Sequence, residues 1–536
     1  MAGELKQLEP AVEPDALGQI PPSRVKVREL LAVIGLIVLA DLTIYRGYGF
    51  AGMAALFIAA PILLLWGAPQ RRGGADLRIV SAMLLALAAA LTWCGSAGQV
   101  AIGAALVIAF AMILVGMKPY VVDVFLFAFF TLGTGGTGLT KYLRSFDRGT
   151  GLIPRATWLK VVLPLAAVLG FGTLFVCANP DEAKTIVHWL GRAWNSLAET
   201  IYKFSPTAPE YLLWIASAWI AGGLLRPLVR NSVFAAEETA DSTAGAAVSA
   251  ASEAALYAAF RNTLIALIVL FAAYLAFEYK TLWGRVFPQG FYYAGYAHEG
   301  AAWLTLALAL ATGVLSAILR GGVLRDPRLP RLRKLAWIWS VENLLLAVAV
   351  YHRMNIYIGF NGMTRMRTIG LLGMTAVVVG FLLVVWKIMH GRGFAWLINR
   401  QLWTLTVAIY LYAVIPVDAL VHAYNVRRVL AGDLAPSVQI TVHPIDSGGI
   451  LVLQPLVNCT DEAIREGIRA MLAERAIRGE ETERQRSAQN WTSFQLADRM
   501  LLDQLRTNQS DWAKYQDANL REAALARFKS YAYQWY

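Results

Sequence analysis

Apolar stretches long enough to cross a bilayer recur along the first four fifths of the chain. They fall at residues 30 to 45, 48 to 67, 77 to 94, 98 to 117, 157 to 178, 209 to 228, 256 to 278, 300 to 319, 336 to 358, 368 to 388 and 401 to 417. Segment 119 to 139 is also apolar but carries Asp123 and the run Gly133, Gly135, Gly136 and Gly138. Spanning the hydrocarbon takes roughly 20 apolar residues in a helix. Lipid offers backbone groups no hydrogen-bond partners, so such segments are expected to be helical. The expected fold class is all-α, a polytopic transmembrane helix bundle of about 11 to 12 spans.

The polar positions divide the rest. Between Pro180 and Pro206, Ile186, Leu190, Trp194, Leu197, Ile201 and Phe204 recur at helical spacing opposite Lys184, Glu199 and Lys203. This predicts an interfacial amphipathic helix, with Asn179 as its cap and Pro180 at its first position. The domain organisation expected is a cytoplasmic N-terminal segment 1–29, a transmembrane domain 30–418 and a small C-terminal soluble, α-rich tail 419–536. Residues 231–255, rich in Ala, Ser, Glu and Thr, read as a flexible cytoplasmic loop within the transmembrane domain.

In the tail, Val438 to Val442 reads as a short β-like run. Thr460 is the expected cap of a helix whose buried face holds Ile464, Ile468 and Leu472, and a second apolar face runs through Leu496, Met500, Leu501 and Leu505. With few aliphatics among the charges from Arg465 to Arg486, a large independent core is not expected, and the tail should pack on the membrane portion.

Composition agrees with a lipid solvent: 57% of residues are apolar, 16% are charged and the mean hydropathy is +0.50. The net charge of +12 would raise nucleic acid in a soluble protein, but here Lys and Arg gather in short loops between spans. Topology therefore accounts for it, and no nucleic-acid partner is expected. Arg24, Lys26 and Arg28, then Arg71, Arg72 and Arg78, place the N-terminus and the second loop in the cytoplasm. The clusters Lys141, Arg144, Arg148 and Arg155, and Arg320 to Lys334, should be cytoplasmic too. These fixes agree if 119 to 139 is re-entrant or interfacial, its glycines marking irregular backbone; the alternative is an ordinary twelfth span. The first reading puts the C-terminus in the periplasm of a bacterial inner membrane.

Catalytic motifs are near misses. Gly133 to Thr140, GTGGTGLT, approaches a phosphate loop, but Leu139 replaces the lysine. His298-Glu299 begins like HExxH, but position 302 is Ala. Cys94 and Cys177 lie in apolar segments and Cys459 stands alone. No cofactor, metal or catalytic residue is implied, and an enzyme is the least favoured class. Ionisable or amide residues inside spans carry more information: Glu342 with Asn343, and His352, Arg353 and Asn355 at the outer end of that helix.

Several elements resemble the uncharacterised bacterial membrane family known as domain of unknown function 4173 and its relative 4153. They are Tyr293-Ala-Gly-Tyr-Ala-His-Glu-Gly300 preceded by Leu282-Trp283-Gly284, and Arg353-Met-Asn-Ile-Tyr357 followed by Gly362-Met-Thr-Arg-Met-Arg367. Asn179-Pro180, Arg226-Pro227 and Asn425-Val426 fit as well. Gly295 and Glu299 depart from the family's Glu and Arg. The resemblance implies a membrane bundle and supplies no reaction.

With this topology, Glu278, His298, Glu299, Arg353, Tyr357, Arg365 and Arg367 share the outer face, with Asp418 and Asn425 after the last span. They are expected to converge as one outward-facing polar binding site. Its partner would be an envelope protein, a lipid or a small solute, beside the lipid bilayer itself. A sensor or assembly scaffold fits first, then a transporter or carrier of a solute or lipid-linked molecule. An intramembrane transferase using Glu278, His298 or Glu299 as acid or base comes last.

Overall fold

In the computed structural model the described residues are 25–69, 73–149, 206–227, 250–283, 293–318, 328–390, 392–487 and 490–536, with Pro164, Val168, Gly191 and Arg192 besides. Every regular element among them is helical. The helices α1 (Val27–Ala40), α2 (Phe50–Gly67), α3 (Ala75–Cys94), α4 (Ala97–Leu114), α5 (Val121–Gly149) and α6 (Ala208–Leu225) are followed by α7 (Ala250–Glu278) and α8 (Tyr293–Ile318). Then come α9 (Leu329–Asn361), α10 (Arg365–His390), α11 (Phe394–Val414) and α12 (Val417–Leu430). A π turn, Asp41–Tyr45, continues α1. Among the described residues 8 helices are long and apolar enough to cross a membrane, or 9 if α11 and α12, bent by 68°, count as one span.

Of the expected spans that the structure describes, those beginning at 48, 77, 98, 209, 256, 336 and 368 coincide with helices long and apolar enough to cross, and 401 to 417 falls in the bent pair. By contrast, α1, for 30 to 45, and the apolar part of α8, Ala302–Val314, for 300 to 319, fall short of that length, whereas Val121–Thr140, expected to be re-entrant or interfacial, has it. Segments 157 to 178 and 180 to 206 lie outside the described residues except for Pro164, Val168, Gly191, Arg192 and Pro206, and so do residues 231–249. The end of the loop expected at 231–255 is instead the start of α7, which begins at Ala250. The glycine run is a correction, because α5 runs through it without a break. A Cβ on Gly135 would lie 2.3 Å from Trp219, and one on Gly138 would lie 2.9 Å from the Gly222 carbonyl. These glycines let α6 cross closely, the usual use of small residues between membrane helices.

The chain divides into two units. The first comprises Met1–Gly47, Ala59–Arg72 and Leu126–Arg230. In it α1 and α6 are antiparallel and tied at both ends. At one end Glu29, 1% exposed, accepts from Arg226 Nε at 2.5 Å and Nη2 at 2.9 Å and from the Tyr142 hydroxyl at 2.6 Å. At the other, Arg46 reaches Asp41 at 2.9 Å and Glu210 at 2.7 Å, and Trp214 donates to Asp41 at 2.9 Å.

The second unit comprises Tyr48–Ile58, Gly73–Phe125 and Asn231–Tyr536. Here α9 packs against α7 and α8, and α10 against α8 and α11. Leu264, Leu308, Trp339, Phe381 and Val384 form the core of this bundle, while Val269, Leu270, Leu306 and Leu310 stay exposed as a surface for lipid. The turn between α3 and α4 is closed by a capping box in which Ser96 and Gln99 exchange backbone hydrogen bonds.

The rest of this unit is the tail: α13 (Ser437–Val442), α14 (Ser447–Leu451), α15 (Glu462–Ser487), α16 (Leu496–Thr507) and α17 (Ala518–Ala532). Three expectations are corrected. Residues 437–442 are helical, so burial of Val438 and Ile440 in the tail overrides their β propensity. Asp461 rather than Thr460 caps α15, accepting from Ile464 N–H at 3.0 Å. The core is also larger than the charge density of 465 to 486 suggested, because Val426, Leu453, Leu456, Trp512, Tyr515 and Phe528 from outside that stretch join Ile464, Ile468 and Leu472. On α16, Leu501 and Leu505 are buried while Leu496 and Met500 are exposed.

Candidate functional site

Each arginine of the expected polar cluster has a definite partner. Arg353 meets Glu278 in a parallel fork, Nε to Oε1 and Nη2 to Oε2, both at 2.6 Å. Tyr274, one turn earlier on α7, donates to the same carboxylate at 3.0 Å. Glu278 is 1% exposed and Arg353 5%, so Arg353 is held inside the bundle and does not reach out to headgroups. Gly300, the last residue of the YAGYAHEG element, makes room: a Cβ there would lie 2.2 Å from Arg353 Nη1.

One turn apart along the same face of α9 come Tyr357 and Asn361. Arg367 stacks on the Tyr357 ring, 3.7 Å from its centroid, and donates to Asn361 Oδ1 at 2.5 Å and to the Gly362 carbonyl. Asn425 closes the turn reciprocally, accepting from Met363 N–H at 2.7 Å and donating to the Met363 carbonyl at 2.9 Å. Gly362 has a φ of +95°, and a Cβ there would lie 2.6 Å from Asn425 Oδ1, so the position requires glycine. The GMTRMR and NV elements are thus explained by the geometry of one interhelical turn.

Arg365 faces elsewhere. It forms a two-pronged ion pair with Asp418, which is 2% exposed and also accepts from Asp446 N–H at 2.8 Å. This pair closes one end of a cavity of about 980 Å³. Its walls come from α3, through Ala86, Ala89, Ala90 and Trp93 at one-face spacing, from α4, through Gly98 and Ile102, and from α11, through Ile409, Tyr412 and Ala413. Small and apolar side chains make it a trough in the membrane portion, and the charged groups sit only at its tail-bearing end.

Asp446 completes that end. Its Oδ1 accepts from Gly449 N–H at 2.8 Å, capping α14, and the Cys94 thiol lies beside it. Burial pushes its carboxyl above the usual carboxylate range; the Gly449 N–H opposes this and Asp418 adds to it. Arg365 was singled out by its type and position, whereas Asp446 and Cys94 were missed. Nothing in the sequence pairs residues so distant along the chain, although the small-residue face of α3 was visible in its spacing.

The remaining candidates are placed as follows. His298 and Glu299 lie in the first two turns of α8, and their side chains are outside the described residues. Asn343 is buried and donates to the Trp339 carbonyl at 2.7 Å, while its Oδ1 and Glu342 Oε2 have no hydrogen-bond partner among the described residues. Arg353 and Arg365 are committed to different carboxylates, Glu278 and Asp418, rather than to a shared ligand position.

A bundle of long apolar helices with lipid-facing side chains and buried ion pairs defines a multi-pass helical membrane protein. Residues 53–443 match a domain of unknown function (DUF4153), and the chain belongs to that family. The 4173 label raised by the sequence elements gives way to this relative. No curated protein and no solved structure matches the chain.

The Glu278–Arg353 fork yields a stability prediction. Removing either partner leaves a buried charge uncompensated, which costs about 3–5 kcal/mol. Glu278→Ala and Arg353→Ala should each lower the unfolding temperature of the purified protein clearly, and the double variant should be no worse than the poorer single. Additive losses in this cycle would mean that the two side chains act independently.

Proposed function

We propose that the protein is an envelope sensor or assembly scaffold of a bacterial inner membrane, its N-terminus cytoplasmic and its C-terminus periplasmic. The observation that carries this reading is the attachment of a tail with its own core to three span ends. Thr492 accepts from Tyr48 N–H at 2.9 Å, Gln495 binds Gly95 N–H at 2.6 Å and the Leu91 carbonyl at 3.0 Å, and Asn425 clasps Met363. Asp446, at the start of α14, also lines the cavity. An occupant of the trough therefore touches the tail, and the tail offers exposed Trp491, Phe494 and Met500 to a partner. The orientation rests on the basic cluster at Arg78, which lies at the opposite end of α3 from the tail-bearing turn at Gly95.

A second reading, a carrier of a solute or lipid-linked molecule, is favoured by the volume and apolar walls of the cavity. Photocrosslinkers at Trp491 and Met500 in cells, run beside flux assays on proteoliposomes, separate the two. A scaffold or sensor gives a discrete protein adduct and no flux. Flux without an adduct assigns the carrier.

The orientation has its own check. A reporter active only in the periplasm should be active when fused after Tyr536, and a cytoplasmic reporter should work near Arg328. The reverse pattern would invert the account and place the cavity's charged end in the cytoplasm.

A further inference from the structure

The cavity's charged end holds Arg365, Asp418 and Asp446, and no other Lys, Arg, Asp or Glu lines it. Arg365 and Asp418 neutralise one another through both prongs of the guanidinium. Asp446 has no ion-pair partner among the described residues; one of its oxygens caps α14 and the thiol of Cys94 lies beside it. The trough therefore ends in one carboxyl more than it has cations. An anionic headgroup entering it would meet a single cation, Arg365, whose charge is shared between Asp418 and, more weakly, Asp446, and would approach both carboxyls against like charge. A cationic headgroup would supply the ion-pair partner that Asp446 lacks.

We infer that the trough binds an amphiphile whose apolar chain lies along α3, α4 and α11 and whose ammonium head pairs with Asp446. This rests on the proposed reading of the trough as a site whose occupant touches the tail, and specifies its ligand class. Two sources present that chemistry: a simple long-chain amine, and a phospholipid whose ammonium is carried beyond a phosphate. The second would set its phosphate near the partly exposed guanidinium of Arg365, whose side chain is 41% exposed.

The test uses the detergent-solubilised full chain. Binding of hexadecylamine, palmitate, phosphatidylethanolamine and phosphatidylglycerol is measured by native mass spectrometry. Asp446→Asn is the informative variant, because asparagine caps a helix as well as aspartate does and only the charge is lost. The expected result is at least tenfold tighter binding of hexadecylamine than of palmitate, with that preference abolished in Asp446→Asn and retained in Cys94→Ser. Phosphatidylethanolamine outcompeting hexadecylamine would assign the phospholipid source, and the reverse the simple amine; either supports the inference. Palmitate binding as tightly as the amine, or a preference unchanged in Asp446→Asn, overturns the ammonium assignment. Ala89→Trp, which fills the trough, distinguishes the two levels: if it removes binding of every chain while headgroups are not discriminated, the site stands and its ligand class falls. If no amphiphile binds, or Ala89→Trp changes nothing, both fall.

Discussion

A span that ends at the membrane boundary leaves backbone groups that the next helix cannot use, and they must find partners in water or in protein. In the second unit much of that work is done by side chains of the tail. Asn425 satisfies both the N–H and the carbonyl of Met363, Gln495 takes the N–H of Gly95 and the carbonyl of Leu91, and Thr492 takes the N–H of Tyr48. Arg428 caps the carbonyls of Ile358 at 2.7 Å and Gly359 at 2.5 Å, and Gln439 that of Asn361 at 3.0 Å. Each is a directional bond to main chain, so the turns and the tail fix one another's positions.

The same economy governs charge. A lone ion inside a membrane bundle is costly, and the described carboxylates with least exposure are matched to arginine forks that satisfy both oxygens: Glu29 with Arg226, Glu278 with Arg353, Asp418 with Arg365. Asp446 departs from this rule, since its carboxyl is partly buried beside another carboxylate and its backbone bond comes from a helix start. A group left unbalanced where its neighbours are balanced is where a ligand's charge has most effect, which is why the cavity rather than the Glu278 fork is the candidate site.

These features are unevenly legible in the sequence. Span positions were legible because burial in lipid is written into a local average, and Arg353 and Glu342 stood out as ionisable residues in apolar surroundings. Pairings were not legible: nothing local tells that Glu278 meets Arg353 or that Cys94 lies beside Asp446, because those contacts join elements far apart in the chain. The run from Gly133 to Gly138 suggests irregular backbone by its composition, whereas the missing Cβ at Gly135, Gly136 and Gly138 serves an unbroken helix that another crosses closely. Val438 to Val442 carries strand-like residues, and only its place in the tail core makes it helical. The resemblance elements fared best, since Gly300, Tyr357, Gly362, Arg367 and Asn425 all take part in making room for or closing the turns around α9.

Hydrogen–deuterium exchange of the full chain in lipid nanodiscs tests most directly whether tail side chains hold the span ends. The amides of Tyr48, Gly95 and Met363 should exchange as slowly as that of Ile468 in the tail core, because opening them requires releasing the tail. Exchange of those three amides at loop rates while Ile468 stays protected would contradict the account.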